Sequence, residues 1–78
     1  MARAKADVSV YERLGEQLKA RRVALGMSQK RLSEELGIHS NNVIEYEKGR
    51  RGMSLETLTK YCKALKLKVE LVAVSSEQ

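Results

Sequence analysis

Several side chains near the middle of the sequence have the chemistry needed to contact a nucleic acid. Lys48, Arg50 and Arg51 lie within four positions of one another, and each can pair with a phosphate and release its counterion. Asn41 can bond N6 and N7 of adenine together, and Glu45 can accept a hydrogen bond from cytosine N4. These residue types together predict a surface that binds phosphates and reads base edges.

The charge of the chain agrees with an anionic partner. The formal net charge is +5 over 78 residues, and eight basic residues stand against four acidic ones between residues 19 and 51. A net positive charge alone is weak evidence for nucleic-acid binding, because ribosomal and membrane-surface proteins share it. The concentration of charge around one segment is therefore the more informative signal.

No group of residues suggests catalysis, a metal site or a cofactor. The sequence has one histidine, His39, and one cysteine, Cys62, which cannot form a zinc site or a nucleophile with its base. Cys62 stands at helical spacing from Leu58 and Leu65, as expected for a buried thiol. A lone cysteine suits a reducing compartment, and the longest apolar run, residues 71–74, is far too short to span a membrane. We expect a cytoplasmic protein that is not an enzyme.

Periodicity and cap signals predict four helices, of which the second and third form a helix-turn-helix. The Ser9-to-Glu12 spacing is that of a capping box, and serines again suit the starts of the second and fourth helices. Either His39 or Ser40 can cap the third. Glycines suit the turns that follow the first three. The predicted helices span about 10–25, 29–36, 40–48 and 55–65.

The second and third predicted helices are joined by a turn that contains Gly37. In such a motif the second helix lies in the DNA major groove while the first braces across the backbone. With Val43 directed inward, a rotation of 100° per residue directs Asn41, Glu45 and Lys48 outward.

After the fourth predicted helix, the spacing of the apolar residues changes from a helical period to every second position. This alternation predicts a strand with no partner in its own chain, and an unpaired strand edge invites pairing with another chain. We therefore expect residues 1–8 to be a flexible basic arm, 9–66 the DNA-binding domain, and 67–78 a strand and tail for dimerisation. The strand residues predicted to form the dimer contact are Leu67, Val69, Leu71 and Ala73.

Several motifs between residues 18 and 65 form a specific combination: Arg22, Ser28-Gln29, Leu32 with a small residue after it, Leu36-Gly37-Ile38, Val43 and Glu47-x-Gly49. With these motifs the region resembles the Cro and phage-repressor family of helix-turn-helix proteins, also called the xenobiotic-response-element type. Two positions depart from the family pattern, since alanine is usual at Ser33 and serine or threonine at His39. The resemblance implies an all-α, lambda-repressor-like domain of four or five helices, here with a C-terminal strand.

The resemblance also implies residue roles. Gln29 matches a glutamine that touches phosphate and steadies the recognition helix, and Arg22 and Glu47 match an internal salt bridge. Base-reading positions correspond to Ser40, Asn41 and Glu45, with Ile44 beside them, and backbone contacts to Lys48, Arg50 and Arg51.

Simpler alternatives remain for some of these residues. Ile44 either contacts a thymine methyl group or packs at the edge of the core, and Glu45 either reads a base or only pairs with Lys48. Arg50 and Arg51 either contact phosphate or belong to an ordinary solvated loop.

The expected function is sequence-specific binding of double-stranded DNA at a pseudo-palindromic operator by a homodimeric repressor. One alternative is an antitoxin that binds operator DNA and a toxin protein, because the tail is similar to strand-ended relatives such as HipB-type antitoxins. Another is a helix-turn-helix used only for protein contact, which the basic residues after the third helix disfavour.

Overall fold

The computed structural model describes the backbone of residues 2–74 and the side chains of residues 10–74. Over this part of the chain the fold is all-α. Both α3 and α4 pack against α1 and α2, so the core lies among the four helices. The helices are α1 (Ala2–Ala24), α2 (Gln29–Leu36), α3 (Ser40–Glu47) and α4 (Leu55–Leu65).

The predicted helix-turn-helix is confirmed in its bounds and in its turn. The Ser28 side chain accepts a hydrogen bond of 3.0 Å from the Arg31 backbone N–H, which caps α2. Gly37 has a φ of 72°, in the left-handed region where glycine is favoured, and its N–H closes the last turn of α2. His39 is the N-cap residue of α3, although its side chain makes no capping hydrogen bond.

Helix α1 begins earlier than predicted. It starts at Ala2, so residues 2–8 of the segment expected to be a flexible arm are helical, and Ser9 lies inside the helix instead of capping it. Residues 2–6 are all alanine, lysine or arginine, which are strong helix formers, so this segment favours continuation of the helix. Met1 lies outside the described residues.

The prediction of a C-terminal β-strand is wrong for the part of the tail that the structure describes. Residues 67–74 form no strand, and residues 75–78 lie outside the described range. Lys66 adopts a left-handed φ of 58°, and the Leu67 N–H donates to the Cys62 carbonyl, 2.8 Å away, which ends α4. A strand requires a hydrogen-bonded neighbour, and alternation in sequence does not provide one.

Helices α1 and α3 approach each other closely because Gly15 in α1 and Gly49 just after α3 place no side chain at the contact. A Cβ atom at Gly15 would stand 2.4 Å from the Tyr46 carbonyl oxygen and 2.5 Å from that of Glu47. A Cβ atom at Gly49 would stand 2.5 Å from the Glu12 Cα. All three distances are below van der Waals contact, so any larger residue at either position would push α3 away from α1.

A buried ion pair joins the same two helices. The Arg22 Nε donates to Glu47 Oε2 over 2.6 Å and its Nη2 to Oε1 over 3.2 Å, while its Nη1 donates to the Met27 carbonyl oxygen over 2.8 Å. The two side chains are 9% and 2% exposed. The salt bridge that the resemblance implied is therefore confirmed.

The apolar core is built from residues of all four helices and of the turn after α1. Tyr61, on α4, is fully buried, and its ring meets that of Tyr46 edge-on with centroids 5.8 Å apart. Burial raises the pKa of the Tyr61 hydroxyl well above its ordinary value, and the nearby Glu47 carboxylate raises it further. The buried apolar residues of the core cluster are Leu18, Met27, Leu32, Leu36, Val43, Tyr61 and Leu65.

We expect Gly15→Ala to destabilise the domain. Helix propensity alone favours alanine by about 1 kcal/mol, whereas the added methyl group would overlap the α3 carbonyl oxygens, an overpacking that costs about 1–3 kcal/mol. Urea denaturation would measure the change in free energy of unfolding. The exposed Ala20→Gly in the same helix is the control for propensity, with an expected loss of about 1 kcal/mol. A more stable Gly15→Ala protein would contradict the close approach.

We expect Arg22→Met to cost about 3–5 kcal/mol, because it leaves the Glu47 carboxylate buried without its cation. That is comparable to the whole stability of a domain this small, so thermal unfolding followed by circular dichroism should show a large fall in midpoint. Removing both charges, in Arg22→Met with Glu47→Leu, should recover much of the loss. If the double variant is no more stable than the single one, the penalty does not come from the unpaired charge.

Candidate nucleic-acid interface

The residues predicted to contact DNA lie on α3 and on the loop that follows it. Asn41 is exposed near the start of α3. The side chains of Ser40, Ile44 and Glu45 are half-buried. Lys48, Arg50 and Arg51 are exposed at and beyond the end of the helix. One helix and its loop thus present an exposed amide together with three cations.

Gln29 connects the start of α2 to α3. Its Nε2 donates to Glu47 Oε1 over 3.0 Å, so the same carboxylate receives hydrogen bonds from Gln29 and Arg22. This contact matches the predicted steadying of the recognition helix. The predicted contact of Gln29 with phosphate stays a prediction.

Ile44 and Glu45 have different surroundings from those of their neighbours on α3. The half-buried Tyr46 packs against the core cluster, whereas Ile44 lies outside that cluster. The Glu45 carboxylate is 3.7 Å from Arg50 Nη1, and its backbone carbonyl accepts from the Arg50 N–H over 3.0 Å. Glu45 therefore pairs with Arg50 and not with Lys48, the partner weighed from the sequence. The two side chains are 39% and 62% exposed, so the pair contributes little to stability.

Arg51 folds back onto α3. Its Nη1 donates to Asn42 Oδ1 over 2.9 Å, and its Cζ lies 5.6 Å from the centre of the Tyr46 ring. Sequence reasoning did not single out Asn42 or Tyr46 for this surface. Their spacing of four residues places both on one side of a helix, but only the path of the loop brings Arg51 to them.

The residues predicted to form the dimer contact are all exposed. Leu67 is 38% exposed, Val69 54% and Leu71 96%, and Ala73 is also exposed. The tail borders a groove of about 420 Å³. The apolar residues that line this groove are Leu14, Leu18, Leu58, Cys62, Leu67, Val69 and Val72.

Two kinds of feature are absent from the described residues. They contain no group of three or more histidine, cysteine, aspartate or glutamate side chains placed to hold a metal ion. None of the helices in this part of the chain has the length and apolar character needed to cross a bilayer.

Comparison with known proteins agrees with this geometry. The solved structures that are similar to the chain include two that each give a TM-score of 0.74. The restriction-modification controller protein C.AhdI from Aeromonas hydrophila is 30% identical, and the match covers 77% of this chain and 91% of that protein. The clp gene regulator ClgR from C. glutamicum is 32% identical, with 76% of each chain covered. Comparison with curated protein sequences finds no match.

The family comparison covers the helix-turn-helix and the first half of the tail, residues 67–72. The family model described as helix-turn-helix matches residues 18–72, which is more than half of the chain. The matched region contains α2 and α3, the Arg22–Glu47 pair and the basic loop after α3. The chain belongs to the helix-turn-helix family of the xenobiotic-response-element type, whose members are DNA-binding transcription regulators.

Proposed function

We propose that this protein binds double-stranded DNA in a sequence-specific manner and acts as a homodimeric repressor of transcription. The observation that carries the proposal is the combination, on one short helix and its loop, of an exposed amide with three exposed cations. Asn41 supplies the group that can read an adenine. Lys48, Arg50 and Arg51 supply charges for the phosphates on either side of the groove.

The fixed position of α3 supports this role. An eight-residue helix is too short to be stable alone in water, so a recognition helix of this length depends on the domain beneath it. Glu47 near its end is held by Arg22 and Gln29, and Gly15 allows the helix to lie directly on α1. The helix can therefore meet DNA with little loss of conformational freedom.

The apolar tail supports a dimer of two identical chains. Leu71, Val72 and Val74 are 96%, 77% and 84% exposed. Of these, Val72 lines the groove formed with α1 and α4. A second copy would cover these residues on both subunits at once, since a two-fold axis brings the same surface from each chain together. Two recognition helices related in this way would suit half-sites about 34 Å apart on a pseudo-palindromic operator.

The antitoxin alternative rests on the same exposed tail, which a toxin protein could cover in place of a second copy. The two occupants differ in a measurable way. A chain that forms a stable complex on co-expression with the product of a neighbouring toxin gene favours the antitoxin, whereas a chain that forms no such complex favours the stand-alone repressor. We propose no catalytic role.

We expect Asn41→Ala to weaken operator binding by about 1–3 kcal/mol and to relax the preference at one base pair. The measurement is competition between DNA fragments that the wild type selects from random sequence and their single-base variants. Lys48→Ala is the matched control, because loss of a phosphate contact should weaken binding to all fragments alike and lower the slope of log affinity against log salt by about 1. If the Asn41→Ala protein keeps the base preference of the wild type, Asn41 does not read a base.

We expect Leu71→Glu to convert the dimer to a monomer, since it would place a carboxylate in the apolar contact. Leu71 is 96% exposed in the single chain, so the domain itself should keep its stability. Sedimentation equilibrium measures the association. Leu55→Glu is the control, because Leu55 is also exposed, at 75%, but lies at the start of α4 and not in the tail. A Leu71→Glu protein that remains dimeric would place the interface elsewhere.

A further inference from the structure

Two adjacent arginines follow α3, and they have different partners. Arg50 lies near the Glu45 carboxylate, at 3.7 Å, so its charge is partly offset before any DNA is present. Arg51 hydrogen bonds to the amide oxygen of Asn42 and lies over the ring of Tyr46. Both of these partners of Arg51 are neutral, so they hold the guanidinium in place and leave its positive charge available.

The geometry of this contact leaves most of the guanidinium free to bind. An arginine side chain has five N–H donors in a planar fork, which can pair with two phosphate oxygens at once. The hydrogen bond to Asn42 Oδ1 engages Nη1, and the Tyr46 ring covers part of one face. The remaining donors belong to a residue that is exposed.

The contact is anchored in the core through Tyr46. The Tyr46 ring packs edge-on against that of Tyr61, with an angle of 89° between the planes, and Tyr61 is completely buried. Asn42 and Tyr46 stand one helical turn apart on α3. A chain of contacts therefore runs from the buried Tyr61 to the exposed guanidinium.

We infer that Asn42 and Tyr46 are positioning residues, which orient the Arg51 guanidinium for a phosphate of the bound DNA. The inference rests on the proposed DNA binding and assigns different tasks to two neighbouring asparagines. Asn41 is exposed and reads a base, whereas Asn42 acts through Arg51 and reads none. Because an arginine loses many rotamers when it is immobilised, holding it before DNA arrives reduces that loss and strengthens binding.

A double-mutant cycle on duplex DNA tests this inference. We expect Asn42→Ala to weaken binding about three- to tenfold, as for loss of one hydrogen bond, and to leave the salt slope unchanged because the cation remains. Arg51→Ala should weaken binding further and lower the slope by about 1. With both substitutions present, the affinity should match that of Arg51→Ala alone, because Asn42 has nothing left to position. The DNA is a fragment selected by the wild type from random sequence.

The matched control is Asn41→Ala, whose loss should multiply with that of Arg51→Ala because the two residues act on different parts of the DNA. Alanine favours helix formation, so these α3 variants should remain folded, which circular dichroism verifies. If the Asn42→Ala and Arg51→Ala losses multiply, or if Asn42→Ala alters the preference at a single base, Asn42 is not a positioning residue. If the wild type binds no duplex DNA, both the proposed function and this inference fail.

Discussion

The buried ion pair between Arg22 and Glu47 is the interaction on which the arrangement of this domain depends. Its two charges are removed from water, a costly step that is offset only when each has close partners. The guanidinium bonds Glu47 and the Met27 carbonyl, and the carboxylate also receives a bond from Gln29. These contacts join α1, the turn after it, the start of α2 and the end of α3. Movement of any one of them would leave a buried charge incompletely paired.

The position of α3 follows from this pair together with a steric constraint. Helices usually pack with their axes 8–10 Å apart because side chains lie between them. At Gly15 no side chain intervenes, and the carbonyl oxygens of Tyr46 and Glu47 approach the α1 backbone directly. Gly49, beyond the end of α3, approaches the Glu12 backbone in the same way. This contact fixes the start of the basic loop, residues 50–52, relative to α1.

The charged groups on the outer surface are exposed to water, whereas the ion pair in the core is almost completely buried. The core pair is nearly inaccessible to water, and its value lies in holding the helices together. The pair of Glu45 with Arg50 is solvated and weak, so it can exchange for contacts with phosphate at small cost. Arg51 rests on neutral partners and keeps its charge. The domain thus combines a rigid interior with a surface whose cations remain available.

The sequence by itself determined those features whose signals lie within a few residues. Ser28 and Gly37 mark the two ends of α2, because a cap and a left-handed turn depend only on neighbouring residues. The family resemblance identified the Arg22–Glu47 pair. The base-reading and phosphate-binding roles assigned to α3 and its loop stay predictions. Only the tertiary structure decided the rest: alternation in residues 67–74 could not form a strand without a neighbouring chain. The bond between Asn42 and Arg51 depends on the path of the loop, which no periodicity encodes.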